Sequence, residues 1–161
     1  HSTGCAATLL YVQKYQNPFE WVLFEAPLVR TFLWDPFMTA KRFLRGALST
    51  LPRRNSGLPK SQRFYKLLFR DPHYQGRVPL SWFDALERYE YCTKAWKPVH
   101  GYFLILQGKN DTAVDAEYNL HFLRQLLPGA ELVIIKNGRH HLLRDEGPAG
   151  IEARAVVRAA W

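Results

Sequence analysis

Three residues that lie far apart in the sequence are of the types needed for acyl transfer through a serine nucleophile. Ser2 begins a run of small residues, and Asp111 and His140 each follow a short apolar run. In this chemistry the histidine takes the proton of the serine hydroxyl, and the serine attacks a carbonyl carbon. The carboxylate orients the imidazole and stabilises its protonated form. The chain therefore offers a candidate nucleophile (Ser2), acid (Asp111) and general base (His140).

Ser2 is followed by residues that favour a sharp turn into a helix. Gly4 and its small neighbours allow close backbone approach, and a strained turn of this kind can hold a nucleophilic serine. The N–H of Thr3 would then lie at the helix start, where it could bind a developing oxyanion. Alone, the Ser-x-Gly pattern is a weak signal of catalysis and is more typical of a helix-capping serine. The glycine completing Gly-x-Ser-x-Gly, and the strand feeding the turn, would precede His1. We therefore expect this chain to be the second half of a larger domain. Expressed alone, it should be insoluble or inactive.

Asp111 and His140 both lie where loops should leave a parallel sheet. Each follows a strand-like segment, and the carboxyl ends of parallel strands meet at one edge, where α/β sheets place their sites. Asp115 is the competing acid, but it occupies the position where the next helix needs an N-cap. His141 is the neighbour of the base. A single histidine after a strand is often structural, so the assignment depends on all three residues together.

The sequence segments around these residues predict strands and helices of an α/β fold with a parallel sheet. Continuous apolar runs predict buried strands at residues 21–24, 102–106 and 131–135. Helices are predicted over residues 3–16 and 115–127, so that 102–135 forms one strand–helix–strand unit. Pro148 can begin a closing helix, with these residues along one side: Ile151, Ala155, Val156 and Ala159.

The segment 31–100 interrupts this alternation of strands and helices and predicts a helical cap, inserted between two strands of the sheet. It is rich in arginine, proline and aromatic residues and shows no obvious strand. Residues 62–69 predict a short helix, and Ser81-Trp82-Phe83-Asp84 predicts a capping box that opens a helix to about Tyr91. The chain then divides into three parts: 1–30 (nucleophile turn, helix and next strand), 31–100 (cap) and 101–161 (acid and base strands with the closing helix).

Positive charge is concentrated at the start of the predicted cap. The formal net charge is +8, and between residues 30 and 66 the only acidic residue is Asp35. The basic residues of this block are Arg30, Lys41, Arg42, Arg45, Arg53, Arg54, Lys60, Arg63 and Lys66. An anionic partner is one interpretation, and a solvated face balanced by acidic residues elsewhere is the other. No nucleic-acid-binding signature accompanies the block, so nucleic acid is not expected as a partner.

Composition and the two cysteines limit the class of protein and the compartment in which it works. With 47% hydrophobic and 22% charged residues the chain is neither disordered nor membrane-spanning. Cys5 and Cys92 are far apart and have no histidine at ligand spacing, so neither a disulfide framework nor a metal site is predicted. This favours a reducing, cytoplasmic location, with membrane association left open.

The chain resembles the C-terminal part of the α/β-hydrolases of the lysophospholipase and monoacylglycerol lipase group. The order Ser, Asp, His is the order found in α/β-hydrolases. The residues that carry the resemblance are His1-Ser2-Thr3-Gly4, Glu25-Ala26-Pro27, Asp71-Pro72 through Trp82, Leu106-Gln107-Gly108 through Asp111, and Gly138-Arg139-His140-His141-Leu142-Leu143. His141 stands where lysophospholipase-like members often have Glu, which leaves the subgroup open.

The resemblance implies a serine esterase that cleaves a glycerolipid ester, either lysophospholipid or monoacylglycerol, without a cofactor. Aromatic residues of the cap would line the acyl-chain site, although any of them could instead form the cap's own core: Trp34, Phe37, Phe64, Phe69, Trp82 and Phe83. The basic block could attract an anionic lysophospholipid or hold the protein against an anionic membrane. A proline aminopeptidase, an acyltransferase and a non-catalytic scaffold are the alternatives, because the fold does not determine the reaction.

Overall fold

The computed structural model describes residues 1–44, 46–53 and 62–160. They form a three-stranded parallel sheet, a separate two-stranded antiparallel ribbon, and helices around both. The helices are α1 (Thr3–Lys14), α2 (Trp34–Leu44), α3 (Arg63–Arg70), α4 (Leu80–Thr93), α5 (Ala116–Leu126) and α6 (Pro148–Ala160). The strands are β1 (Trp21–Glu25), β2 (Thr50–Pro52), β3 (Arg77–Pro79), β4 (Tyr102–Gly108) and β5 (Glu131–Ile135). Within the described residues, no helix is long and apolar enough to span a bilayer.

The parallel sheet that the apolar runs predict is present, and its strand order is β1-β4-β5. Its central strand is buried from Phe103 to Gly108 because both of its faces are covered. On one face Phe103 and Ile105 pack with residues of α1 and α5, and on the other Leu104 and Leu106 pack with α6. Alternate side chains of one strand therefore enter two separate cores, which explains its uninterrupted apolar sequence.

The two predicted helices at the end of the chain are present. Asp115 caps α5, with its side chain accepting a hydrogen bond from the Tyr118 N–H at 3.0 Å. α6 buries Ala149, Gly150 and Ala153, whereas Ile151, on the side noted in the sequence, is exposed. A side chain at position 150 would collide with the Asp145 carbonyl, so the helix approaches the preceding loop through its smallest residue.

The cap lies between β1 and β4 and contains the ribbon of β2 and β3, which corrects the expectation of no strand there. Each strand of the ribbon has only three residues and one proline, too few to give a periodic pattern. The predicted capping box at Ser81 is also wrong. Pro79 ends β3 and directly precedes α4, so the helix has already begun at Leu80.

Part of the basic block is neutralised by acidic residues of α4. The Arg30 guanidinium is 2.6 Å from Glu90, and the buried Lys41 ammonium is 2.8 Å from Asp84 and 2.7 Å from Glu87. Arg42, Arg53, Arg63 and Lys66 are exposed. The basic residues Arg45, Arg54 and Lys60 lie outside the described residues. The balanced-face interpretation therefore holds for Arg30 and Lys41 and leaves the other described cations of the block to be explained.

Candidate active site

Ser2 lies at the entrance to α1 in a strained backbone conformation. Its φ of 51° and ψ of −119° fall in a region that non-glycine residues rarely adopt. The turn is fixed by hydrogen bonds from the Ser2 N–H to the Glu25 carbonyl at 3.0 Å and from the Cys5 N–H to the Ser2 carbonyl at 2.9 Å. The Ser2 side chain makes no capping hydrogen bond, so the helix-cap alternative does not describe this serine.

The Thr3 N–H, at the start of α1, is a candidate donor to an oxyanion beside Ser2. Thr3 is the first residue of α1, whose leading N–H groups have no partner within the helix. Among the described residues, the Thr3 N–H donates no backbone hydrogen bond. A free N–H at the positive end of a helix is the kind of donor that stabilises an oxyanion.

Asp111 and His140 form a buried hydrogen-bonded pair. Asp111 Oδ2 is 2.9 Å from His140 Nδ1, and the residues are 8% and 5% exposed. The Ala113 N–H donates to Asp111 Oδ1 at 2.8 Å, and the Gln107 amide donates to Oδ2 at 3.1 Å. Burial alone would raise the pKa of Asp111, but the His140 contact and these other donors lower it below its ordinary value. An ionised Asp111 therefore holds the Nδ1 proton, which leaves Nε2 free to act as a base.

The loops that carry the acid and the base are joined through their backbones. The Asn110 N–H donates to the Gly138 carbonyl at 2.8 Å, and the Lys109 N–H donates to the Ile135 carbonyl at 3.0 Å. A Cβ at Gly108 would collide with the Arg139 carbonyl oxygen, so only glycine permits this approach. The strand ends thus fix the separation of Asp111 and His140.

Ser2, Thr3 and His140 line one cavity of about 690 Å³ between the sheet and the cap. His1, directly before Ser2, places Nε2 3.0 Å from the His140 carbonyl oxygen, and the two imidazole rings are 4.7 Å apart. The strained turn and the base loop are therefore in direct contact. A second depression, of about 470 Å³, is lined by residues of α4 alone and shares none of this cavity's lining residues.

Three of the six predicted acyl-chain aromatics line this cavity, namely Phe64, Phe69 and Trp82. The other three do not. Trp34 is 5% exposed and packs in a core cluster between the cap and the sheet. The rings of Phe37 and Phe83 pack on each other, 4.4 Å apart. Periodicity and residue type could not separate these two groups, because both consist of large apolar side chains on short cap helices.

Glu25 is a positioning residue to which the sequence assigned no role. It ends β1 and is 8% exposed. Its carbonyl oxygen accepts from the Ser2 N–H, and its Oε1 accepts from the Leu143 N–H at 2.9 Å. One residue thereby holds both the nucleophile turn and the loop after His140. A carboxylate directly at the end of a buried strand was the available signal.

His141 is predicted to make folding stability depend on pH. Burial and the nearby charges of His140 and Arg144 lower its pKa to about 4. An unfolded histidine has a pKa of about 6.5, so the unfolded chain binds more protons between these two values. The free energy of unfolding should therefore fall as pH drops from about 6.5 towards 4. Urea unfolding at pH 7 and pH 5 should show a larger loss for the natural protein than for His141→Gln.

The matched control for this experiment is His121→Gln, on the exposed side of α5. It should retain the loss of stability seen in the natural protein between pH 7 and pH 5. An equal loss in the natural protein and in His141→Gln would contradict the assignment.

Comparisons with known proteins agree with this architecture. The family model for serine aminopeptidase, S33, matches residues 1–147. No curated protein sequence matches the chain. Among solved structures, a monoacylglycerol lipase from Paleococcus ferrophilus is similar over 99% of this chain and 65% of its own, with 22% identity and a TM-score of 0.68. A soluble variant of the monoglyceride lipase from Saccharomyces cerevisiae is similar over 99% and 61%, with 16% identity and a TM-score of 0.72.

A third similar structure is the alpha/beta hydrolase domain-containing protein 10 from mouse, with 17% identity and a TM-score of 0.62 over 99% of this chain and 59% of the mouse chain. The chain therefore spans less than two thirds of the length of these three proteins. These likenesses show a shared fold, and the family match covers most of the sequence. The chain belongs to the serine aminopeptidase S33 family of hydrolases and has the α/β-hydrolase fold.

Proposed function

We propose that the complete protein is a serine esterase that cleaves carboxylic esters of glycerolipids, either lysophospholipids or monoacylglycerols. The observation that carries this proposal is the placement of Ser2 and the Asp111–His140 pair at one cavity with aromatic walls. Neither a metal nor an organic cofactor is required, because the three side chains supply a nucleophile, a base and a charge stabiliser.

In the proposed mechanism, His140 Nε2 takes the hydroxyl proton of Ser2 as Oγ attacks the ester carbonyl carbon. The carbonyl oxygen becomes an oxyanion beside the Thr3 N–H. The protonated His140, stabilised by Asp111, gives its proton to the departing alcohol, which leaves an acyl-serine. Water then attacks the acyl-serine with His140 again as base, and the products are a fatty acid and free Ser2.

The walls of the cavity favour an acyl chain as the group next to the ester. Large apolar side chains of the cap line it, together with Leu28 and Val114 from the sheet side: Phe64, Leu68, Phe69, Val78 and Trp82. Apolar surface removed from water stabilises binding by about 25 cal/mol per Å². Two of the similar structures are named as monoacylglycerol or monoglyceride lipases, which supports the same substrate class for this chain.

Aminopeptidase activity is the second candidate, since the family model carries that description. An aminopeptidase must bind the protonated amine of its substrate, and carboxylates are the natural partners for such a cation. Among the described residues that line the cavity there is no Asp or Glu, while Arg53, Arg77 and Arg144 are present. A substrate ammonium group would be repelled here, so the lining favours the esterase.

Substrate comparison tests the proposed function directly. The complete protein should hydrolyse an acylglycerol ester and should leave prolyl p-nitroanilide uncleaved, because the described lining of the cavity offers an apolar wall and three arginines but no carboxylate for an ammonium group. Release of fatty acid and of nitroaniline measures the two reactions. Faster cleavage of the prolyl amide, or cleavage of neither compound, would overturn the assignment.

A further inference from the structure

We propose that this cavity contains a subsite for an anionic group of the substrate, formed by Arg53 and Arg144 with Arg77 nearby. The inference rests on the proposed function and names its substrate class: an acylglycerol ester that carries an oxyanion, such as a phosphate, close to the ester bond. The three arginines come from different parts of the chain and line the same cavity as Ser2.

Arg53 and Arg144 are held by aromatic rings and not by carboxylates. The Arg144 guanidinium lies 4.5 Å from the Phe64 ring centre, and the Arg53 guanidinium lies 5.8 Å from the Tyr74 ring centre. Within the described residues neither makes an ion pair. A guanidinium packed on a ring keeps its N–H donors free, and these donors match the oxygen atoms of a phosphate or carboxylate.

Two other cations near the cap, unlike these arginines, are paired with carboxylates. Arg30 and Lys41 lie outside the cavity lining, and both are paired with carboxylates of α4. Among the described residues that line the cavity, by contrast, no acidic side chain balances the three arginines. Positive potential therefore converges on the cavity, where a substrate anion would find partners already positioned.

The ribbon keeps Arg53 and Arg77 in place. The Arg53 N–H donates to the Gly76 carbonyl at 2.8 Å, which extends the pairing of β2 with β3 by one residue. The Arg77 guanidinium donates to the Thr50 hydroxyl at 2.6 Å and to the Thr50 carbonyl at 3.0 Å. Arg77 thus adds positive charge to the cavity, but part of its guanidinium is already hydrogen-bonded to Thr50. The Arg53 guanidinium has more N–H donors left for a substrate anion.

A short chain of ring contacts links Arg144 to the reacting residues. Its partner Phe64 lies 5.5 Å from the His141 ring, and His141 lies 5.1 Å from the ring of His140. An anion bound at Arg144 would therefore lie on the side of the cavity that carries His140 and His141. This position suits a charge on the alcohol part of the substrate, as in an acylglycerol phosphate.

The test compares two esters with the same short, monomeric acyl chain, acylglycerol phosphate and acylglycerol, in the complete protein. The natural protein should prefer the phosphate ester in kcat/KM. Arg53→Gln and Arg144→Gln should each lower the ratio of the two kcat/KM values by about 10-fold to 100-fold, the effect of losing a hydrogen bond to a charged group. An acylglycerol ester with a carboxylate in place of the phosphate identifies which oxyanion is preferred.

Matched controls are Arg42→Gln on α2 and Arg124→Gln on α5, both exposed and outside the cavity lining. They should leave the ratio unchanged. An unchanged ratio in Arg53→Gln and Arg144→Gln would overturn the subsite, and so would an equal fall in the controls, which would indicate general surface attraction. If no ester is cleaved, the proposed function is overturned. The subsite is then tested separately by calorimetry, which measures the binding of glycerol phosphate to the natural and Arg53→Gln proteins. Weaker binding to Arg53→Gln supports the subsite, and equal binding overturns it.

Discussion

Ser2→Ala should reduce kcat for ester hydrolysis by about 10⁶-fold in the complete protein, as loss of the nucleophile does in other serine hydrolases. The alanine side chain has no oxygen to attack the carbonyl carbon, so the acyl-enzyme cannot form. Neighbouring groups such as the Thr3 N–H and the cavity walls remain, so substrate should still bind. Fatty-acid release measures the rate, and a fluorophosphonate probe, which bonds covalently to activated serines, measures the nucleophile itself.

Ser81→Ala is the matched control for this experiment. Ser81 is exposed on α4 and does not line the cavity, so its replacement should leave both the rate and the probe labelling unchanged. If Ser2→Ala retained the natural rate or the natural labelling, another residue would be the nucleophile.

Asp111→Asn should lower kcat by about 10⁴-fold while KM changes little. The carboxylate now accepts a hydrogen bond from His140 Nδ1 and carries the charge that stabilises the imidazolium. An asparagine amide has no charge, and its NH₂ group can donate to Nδ1, which moves the histidine proton to Nε2. His140 would then present a proton to Ser2 where it should accept one. Steady-state kinetics across pH 6 to 9 measures the loss.

Asp115→Asn provides the control at the competing acid. Asp115 caps α5, and asparagine is an equally good N-cap, so both kcat and stability should remain near their natural values. A loss of kcat in Asp115→Asn as large as in Asp111→Asn would reverse the assignment of the acid. Circular dichroism of the two variants would show whether either loss comes from misfolding.

The sequence best predicts residues whose role depends on the few residues next to them in the chain. The strand at 131–135 was predicted with its observed limits because an apolar run ending in Asn-Gly is a local signal. The N-cap at Asp115 followed from the same kind of evidence. The contact between Asp111 and His140 could be expected because parallel strands bring their carboxyl ends to one edge.

What sequence could not predict depends on contacts between distant segments. Glu25 joins the nucleophile turn to the loop after His140, and its Oε1 partner lies 118 positions away in the sequence. The ribbon pairs β2 with β3 across α3, and each strand is too short to show alternation. The division of the cap aromatics into cavity wall and core likewise follows from packing, which residue type alone does not determine.

The chain leaves the sheet after β1, builds the cap, and returns in β4, the direct neighbour of β1. Ser2, Asp111 and His140 all lie outside residues 31–100, and the acid and base loops are tied to each other by backbone hydrogen bonds that involve no cap residue. The cap is therefore an insertion between neighbouring strands, and it contributes no member of the candidate triad. We expect a changed cap sequence to alter which substrates fit the cavity, while the backbone hydrogen bonds between the acid and base loops remain.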